Sequence, residues 1–591
     1  MGKRGGAVHV VRVRKSHVDK QGRRREYQSA YLRRTFREGG KVRNETVANL
    51  SVLPAHLVDW VEAGLKGQCL VPADQAATIT RSLPHGDVAA VWAQAAALGL
   101  PGLLGPAGRM RDLALALIIS RVVHPGSKLA TASWWEDTTL GTDLAVAGAL
   151  TDEVYAAMDW LLGRQPTIEA RLAKRHLAEE SNPSRMALFD LSSSWMEGSH
   201  CPLAKRGYSR DGKKNRAQIE YGLLTDPAGR PVAVKVFPGN TADPTAFIDA
   251  VETVREKFGL EQMVMVGDRG MITSARIDVL REQTDLGWLT ALRGPAIKAL
   301  AAAGGPLQPT LFDQTDLAEI SHPDYPGERL IACRNPFLAT ERSRKRGELL
   351  AATEQLLAPV LAAVNAGRLR GADAIGLKVG KVIDKYKMAK HLHVTITDTS
   401  LAITGNTEQI AAEAALDGIY VLRTSVPAEA LDPAGVVLAY KNLANVERDF
   451  RTIKTDDLDL RPVYHRLADR VRGHVFIAML AGYLTWHLRR TLAPLTFTDE
   501  HPPARTDPVA PAARSTTATR KASRRKDDTD QPVRSFRALL DHLGTLTRND
   551  IRYGPDGPAV PTLAVPTPTQ RRVFELLDTV PRQELGRVSL V

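Results

Sequence analysis

Cysteine is nearly absent from this chain: 3 residues in 591, at Cys69, Cys201 and Cys333. No two stand in a CxxC spacing, so a disulfide framework and a structural zinc site are not expected, and a reducing compartment fits. Long apolar runs are missing as well. The longest is VFIAMLAGYLTW, the 12 residues from Val475 to Trp486, too short to span a bilayer. Arg470, Arg472, Arg489 and Arg490 flank it, and it reads as a buried helix. The opening stretch MGKRGGAVHVVRVRK has no apolar core of signal-peptide length. No membrane association and a cytoplasmic location are therefore expected. Acidic residues are in deficit: Lys+Arg 79 against Asp+Glu 66 gives a net charge of +13. That balance favours a polyanionic partner such as nucleic acid, although it specifies no fold.

At 591 residues the chain is too long for one core and suggests three or four domains. Residues 1–37 hold twelve Lys and Arg against Asp19 and Glu26. Val11, Val13, Tyr27, Tyr31, Phe36, Val42, Val47 and Leu50 alternate with polar residues, and Gly22 and Gly39-Gly40 punctuate them. Residues 1–54 thus read as a small antiparallel sheet with a basic face. Arg23, Arg24 and Arg25 are its candidate DNA contacts; the alternative is a solvated basic face. Residues 55–183 are helical in pattern and read as a DNA-binding or scaffold domain. Within them Arg109–His124 is apolar nearly all round, hence buried, and Pro125-Gly126 ends it. Residues 491–533, rich in Pro, Thr, Ala, Arg and Lys, read as a disordered basic linker. A short C-terminal segment, 534–591, follows.

From residue 184 the pattern turns to α/β. SRMALFDLSSSW rises as a strand into Asp190, and AQIEYGLLTD and RPVAVKVFPG follow as strands joined by a DPAG turn. Asp243-Pro244 starts an amphipathic helix as an N-cap and N1 proline would. MVMVGD is then an apolar, buried strand ending at Asp268. The order β-β-β-α-β-α is that of the ribonuclease-H-like fold, an α/β architecture with a mixed sheet. Its first part would be 184–292, an insertion domain 293–417, and its second part 418–490.

In VVLAYKNLANVERDFRTIK, Tyr440, Glu447 and Lys454 fall seven residues apart, twice over. Seven residues is nearly two helical turns, so the three side chains rise from one face. Leu443, Val446, Phe450 and Ile453 form an adjoining apolar stripe, which could pack on a sheet and leave Glu447 at its margin. Lys454 and Arg451 would then face a phosphate backbone. Asp190, Asp268 and Glu447 are the hard oxygen donors that magnesium prefers, and crowded carboxylates repel one another unless a cation offsets them. Phosphodiester cleavage needs stabilisation of both the attacking and the leaving oxygen, which two divalent ions can supply. An ordinary amphipathic helix and ordinary strand-end aspartates are the competing reading.

These residues resemble the DDE-type insertion-sequence transposases of bacteria across roughly 184–490. The glutamate signature of that group runs Tyr, two residues, Arg, three residues, Glu, six residues, Lys; here it reads Tyr440, Leu443, Glu447, Lys454. VGDRGMIT resembles the group's second aspartate with its following Arg269 and glycine. RPVYHRLADRVRGHVFIAMLAGYL resembles its C-terminal core. Leu443 departs from the usual arginine, a DNA contact, for which Arg448 or Arg451 could substitute. The resemblance implies Asp190, Asp268 and Glu447 as catalytic metal ligands. It also implies Mg²⁺ as cofactor, as two ions with Mn²⁺ able to substitute. DNA would be the partner, both the terminal inverted repeats of an element and its target, with a homodimer pairing two ends on a bacterial nucleoid. A structure-selective nuclease of the same fold and a non-catalytic DNA-binding descendant are the alternatives.

Other side chains read as structural. His391 and His393 alternate on a strand without a third metal ligand. His465 and His474 suit polar packing or a phosphate contact. Trp195 and Trp288 are core residues or, less simply, stacking platforms for a flipped base. Ser192–Ser194 have no His/Asp partners in pattern and serve the turn.

Overall fold

A computed structural model describes residues 6–18, 20, 24–68, 77–177, 186–198, 200–213, 215–253, 263–281, 286–504, 507–527, 530–554 and 557–585. The chain divides into two units. The first comprises residues 1–82 and 548–563. In it, strands Ala7–Val18, Arg24–Glu38 and Lys41–Asn49 form an antiparallel sheet. Gly39 and Gly40 make the second turn with positive φ of 58° and 77°, a conformation glycine adopts without steric cost. The helix Ala55–Leu65 lies against the first strand, where Asp59 and Glu62 pair with Arg12. A second sheet joins Ala77–Pro84 to the strand pair Thr547–Tyr553 and Ala559–Leu563. Residues 55–82 and 548–563 therefore belong with the basic sheet, and not with the helical block and C-terminal segment in which sequence reading placed them.

The second unit, residues 83–547 and 564–591, is built on an eight-stranded mixed sheet. Its strands are β1 (Met186–Trp195), β2 (Gln218–Thr225), β3 (Pro231–Pro238), β4 (Met263–Val266), β5 (Leu286–Ala291), β6 (Leu317–Ile320), β7 (Arg329–Arg334) and β8 (Ile419–Thr424). Their spatial order is β6-β7-β8-β5-β4-β1-β2-β3. The first five lie as 3-2-1-4-5, with β1–β2 and β2–β3 antiparallel and β1–β4 and β4–β5 parallel. That is the ribonuclease-H-like topology. β4 is fully buried, in keeping with its unbroken MVMV run.

The helices that matter to the site are α1 (Arg109–Val123), α2 (Thr151–His176), α3 (Asp243–Glu252), α4 (Ser274–Arg281), α5 (Pro336–Asn365), α6 (Pro433–Lys441), α7 (Leu443–Arg451) and α8 (Ala468–Thr491). α1, α2 and α8 pack on one another, and α2 and α8 also cover β3. α8 contains the apolar run Val475–Trp486, and Val475 through Thr485 are buried. Burying this helix on all sides explains its lack of a polar face.

The expected insertion 293–417 has two parts. β6 and β7 extend the main sheet through β8, over a core that includes Leu300, Phe312, Leu330 and Val421. Residues from Pro336 onward form a separate layer, in which α5, the helix Ala372–Lys385 and the hairpin Leu392–Ile396/Leu401–Gly405 share their own core. α5 is long and apolar enough to match a bilayer span, and its Leu357 and Val364 point into that core.

In the expected disordered linker 491–533 the described residues are anchored to the fold at several points. Val509 is fully buried, Lys521 is 3% exposed, and Thr516–Arg524 is a helix capped by Ser515. The carbonyls of Pro508, Val509 and Ala510 accept from Lys441 Nζ at 2.6, 2.8 and 3.0 Å, and Val509 O also accepts from Asn335 Nδ2 at 3.1 Å. A few anchoring contacts order a segment whose composition carries almost no apolar signal.

Candidate active site

Sheet register sets the first two carboxylates. β1 and β4 run parallel with Leu188 opposite Val266. Asp190 and Asp268 each follow by two residues, so they stand at matching heights, Asp190 inside β1 and Asp268 just past the end of β4. Asp190 Oδ1 accepts from the Leu191 amide at 2.8 Å. Asp268 Oδ1 accepts from the amides of Gly270 and Met271 at 2.8 and 2.9 Å. A Cβ at Gly270 would lie 3.1 Å from that same oxygen, so the turn after β4 is fitted closely around Asp268.

Glu447 comes from α7, which packs on β1. Val446 and Phe450 are buried under it, and the Phe450 ring meets Tyr221 of β2 edge-on at 5.7 Å between centroids. The apolar stripe thus seats the helix on the sheet and leaves Glu447 exposed at its margin. The helix is not continuous, however. α6 starts at Asp432, whose side chain accepts from the Gly435 amide, breaks at Asn442, and resumes as α7. A wider π-type turn, Thr452–Asp456, then follows. The seven-residue spacing therefore does not keep Lys454 on the face of Glu447.

Asp190, Asp268 and Glu447 line one open cavity of about 600 Å³, together with Arg269, Tyr440, Leu443 and Arg342. Burial pushes the Asp190 carboxyl up to about 7, and the charges of Asp268 and Glu447 push the same way; the Leu191 amide and Arg210 oppose them. Burial, with the same carboxylates, pushes the Tyr440 phenol up to about 12. A hard divalent cation is the species that relieves such a cluster. Its donor set fits, because each aspartate commits one oxygen to backbone amides and leaves Oδ2 for a ligand. Among the described residues no group of three or more His, Cys, Asp or Glu side chains is gathered as a metal site.

Sequence reading missed the layer behind Asp190. Arg210 donates to Asp243 Oδ1 at 2.6 Å, lies 3.7 Å from Glu220 Oε2, and its amide donates to Ser193 Oγ at 2.9 Å. Burial pushes Glu220 up to about 7. α3 begins at Asp243 with Ala242 as its N-cap, so Asp243 is not the cap the sequence suggested; its carboxylate serves Arg210 instead. The one available signal was Glu220, a lone acid in a strand that is otherwise nearly all apolar.

Lys454 faces inward, contrary to the expected phosphate contact. It is 8% exposed and pairs with Asp211 Oδ1 at 2.7 Å, a carboxylate shared with Arg461 Nη1 at 2.5 Å. Arg448, Arg451 and Arg269 are exposed. Arg24 is exposed on the basic sheet, Arg25 pairs by its backbone with His17, and Arg23 lies outside the described residues. Trp288 is 4% exposed in β5, which removes it as a stacking platform. Trp195 does not line the cavity; Lys213 and Arg216 lie over its ring at 5.7 and 5.9 Å. His391 is buried on Glu413 at 2.8 Å, and His474 bridges Lys128 and the Leu460 carbonyl. Cys201 and Cys333 are free and buried, and Cys69 lies outside the described residues.

Residues 192–484 match the family model of the transposase DDE domain. The matched interval contains Asp268 and Glu447 and opens two residues after Asp190. No curated protein matches the chain. Among solved structures it is similar to the cryo-EM structure of the piggyBac transposase synaptic complex with hairpin DNA. Identity is 9% and the TM-score 0.31, over 73% of this chain and 70% of that one.

Proposed function

We propose that the chain, whose residues 192–484 match the transposase DDE domain, is a DDE-type transposase that binds the terminal inverted repeats of an insertion sequence, nicks them, and joins the freed 3′-hydroxyl to target DNA. One observation carries this reading: Asp190, Asp268 and Glu447, from two parallel strands and a later helix, line a single cavity. These three carboxylates would hold divalent metal, Mg²⁺ by preference with Mn²⁺ able to replace it. When bound, a pair of such ions stabilises the attacking and leaving oxygens of an in-line displacement.

The remaining roles fall to the protein's own groups. Arg210 lies close enough to Asp190 to favour its ionised form, which the ligand role requires. Arg269, Arg448 and Arg451 offer exposed guanidinium groups to the phosphates, and Tyr440 walls the cavity beside the carboxylates. Arg23, Arg24 and Arg25 are assigned to non-specific contacts along the duplex. A homodimer would bring two element ends together.

The test is a nicking and strand-transfer assay on a duplex carrying the inverted repeats that flank the coding region, with Mg²⁺, Mn²⁺ or chelator. Metal-dependent nicks at the repeat boundary followed by covalent joining to a second duplex are expected. Nicking without joining would favour a structure-selective nuclease. Binding with no cleavage in either metal would favour a DNA-binding descendant.

A further inference from the structure

On the other face of the catalytic helix lies a second cavity, of about 940 Å³, lined by Asn445, Arg448, Asp449 and Thr452 together with the end of α8 and residues from the 498–514 segment. At 100° per residue the three of these on α7, Asn445, Arg448 and Asp449, point roughly 100–200° away from Glu447. Several polar atoms in its wall are left without partners. Asp449 Oδ2, Thr485 Oγ1 and Arg489 Nε are all buried and make no hydrogen bond, although Thr485 is only 1% exposed. Buried polar groups are almost always paired, so three in one wall call for a ligand that both donates and accepts.

The charges give its sign. Asp499 is held by Ser515, Glu500 by Lys521, and the Nη2 of Arg489 by Asp457. Arg448, Arg490 and Arg514 are exposed, and no ion pair or hydrogen bond within contact distance holds them among the described residues, although Asp449, Asp226 and Asp499 respectively lie within reach of their charge; Arg490 also lies over the Trp486 ring at 5.5 Å. With Glu500 and Arg489 discounted as paired, three guanidinium groups (Arg448, Arg490, Arg514) stand against two carboxyls (Asp449, Asp499), so the mouth keeps a formal positive excess.

We propose that this cavity is a second DNA-binding site, which takes a phosphate-bearing strand on the face of α7 opposite the carboxylates. Phosphate oxygens would accept from Arg448, Arg490, Arg514 and Arg489 Nε. Base amino groups would donate to Asp449 Oδ2 and Thr485 Oγ1. The inference rests on the transposase reading and extends it: the helix that carries Glu447 is clamped between two stretches of DNA, one cut and one held.

The test is binding of full-length protein to a terminal-repeat duplex, by fluorescence anisotropy over a range of salt and without metal. The variants are Arg490→Ala/Arg514→Ala and, separately, Thr485→Val, which keeps shape and removes the hydroxyl. Each neutralised phosphate contributes about 0.9 to the salt slope. The double variant should flatten that slope by about two units and weaken binding at least tenfold at low salt, while nicking at saturating DNA stays within twofold. Thr485→Val should weaken binding less and leave the slope unchanged. Melting curves matching wild type establish that the variants are folded; should Arg490→Ala/Arg514→Ala melt early, Arg514→Glu alone serves, with the same direction expected. An unchanged slope in a folded variant overturns the proposal, as does a nicking rate that falls in step with binding at saturation. Wild-type protein that binds DNA but never nicks would sink the parent reading and leave this site standing.

Discussion

Asp190 and Asp268 sit the same two residues beyond a directly paired couple, Leu188 and Val266, on neighbouring parallel strands. A one-residue slip of β1 against β4 would turn one aspartate to the opposite face of the sheet. The register is held by the burial of Met186, Ala187, Leu188 and of Met263 through Val266. The placement of the two aspartates side by side is therefore a consequence of ordinary strand packing.

The first prediction follows. Asp190→Asn, Asp268→Asn and Glu447→Gln each keep size and remove a charged ligand. Each is expected to lower nicking in Mg²⁺ by about 10²-fold or more, the loss typical of removing one electrostatic stabiliser, with end binding within a few-fold of wild type. Asp190→Asn should also melt higher than wild type in metal-free buffer, because it relieves a buried carboxylate that its neighbours repel. Normal nicking by any of the three would remove that residue from the site.

A second prediction separates a structural lysine from a DNA contact. Lys454, Asp211 and Arg461 form a buried charge cluster in which the Asp211 side chain is 1% exposed. Removing one partner of such a pair leaves a charge buried without compensation and costs about 3–5 kcal/mol. Asp211→Ala should therefore lower the melting temperature strongly. Lys454→Met should cost less, and the double variant less than the sum of the two. The salt slope of DNA binding should not change with Lys454→Met, since that ammonium is held by Asp211.

Much of the core was legible because its signals are local. β4 announces itself as an apolar run ending in Asp268, and the stripe of Val446 and Phe450 marks the buried side of α7. The order of the first five strands follows from element order alone. What was not legible depended on tertiary partners. The break at Asn442 and the π-type turn at Thr452–Asp456 rotate Lys454 inward, and no seven-residue spacing can report a change of helical pitch. Arg210 and Asp243 meet across separate elements 33 residues apart. The linker looked disordered because its anchoring groups are backbone carbonyls, which composition does not reveal. Strands β6 and β7 were absorbed into an insertion because both are short, β6 as the edge strand and β7 between β6 and β8, and their pairing partner β8 lies about 85 residues further on.

A third prediction concerns acid. Burial pushes His176 down to about 3, with Arg230, His487 and Arg175 adding to the effect. It pushes His465 down to about 4 beside Lys128, Arg470 and Arg121, and His487 to about 4 beside Arg230, Arg490 and Arg175. Unfolded histidine titrates near 6.5, so between about 6.5 and these values the unfolded chain binds more protons than the folded one. Stability must then fall as pH drops through that window, by on the order of 1–3 kcal/mol per histidine after allowance for partial exposure. Urea midpoints measured from pH 7.5 to 4 should decline, and His465→Gln should flatten the decline. A flat profile in wild type would show these rings to be more solvated than their surroundings imply.

The last prediction concerns the strap at 507–510. Lys441 closes α6 and lines the carboxylate cavity, and its ammonium is spent on three carbonyls of the strap. The same strap holds Asn335, the N-cap of α5, through Val509 O. α6 and α5 are thereby tied at the wall that faces Asp268. Lys441→Met keeps the aliphatic stem and removes the donors; hydrogen bonds to charged groups are worth about 1.5–3 kcal/mol, so the strap should loosen by about that much while the sheet beneath stays intact. Limited proteolysis should then cut within 498–514 faster than in wild type, at an unchanged global melting temperature. Because Tyr440 and Leu443 sit on either side of this anchor, the expected functional effect is a lower nicking rate on bound DNA and not weaker binding. Equal cleavage rates at 498–514 in the two proteins would show that Val509 burial holds the strap without the Lys441 hydrogen bonds.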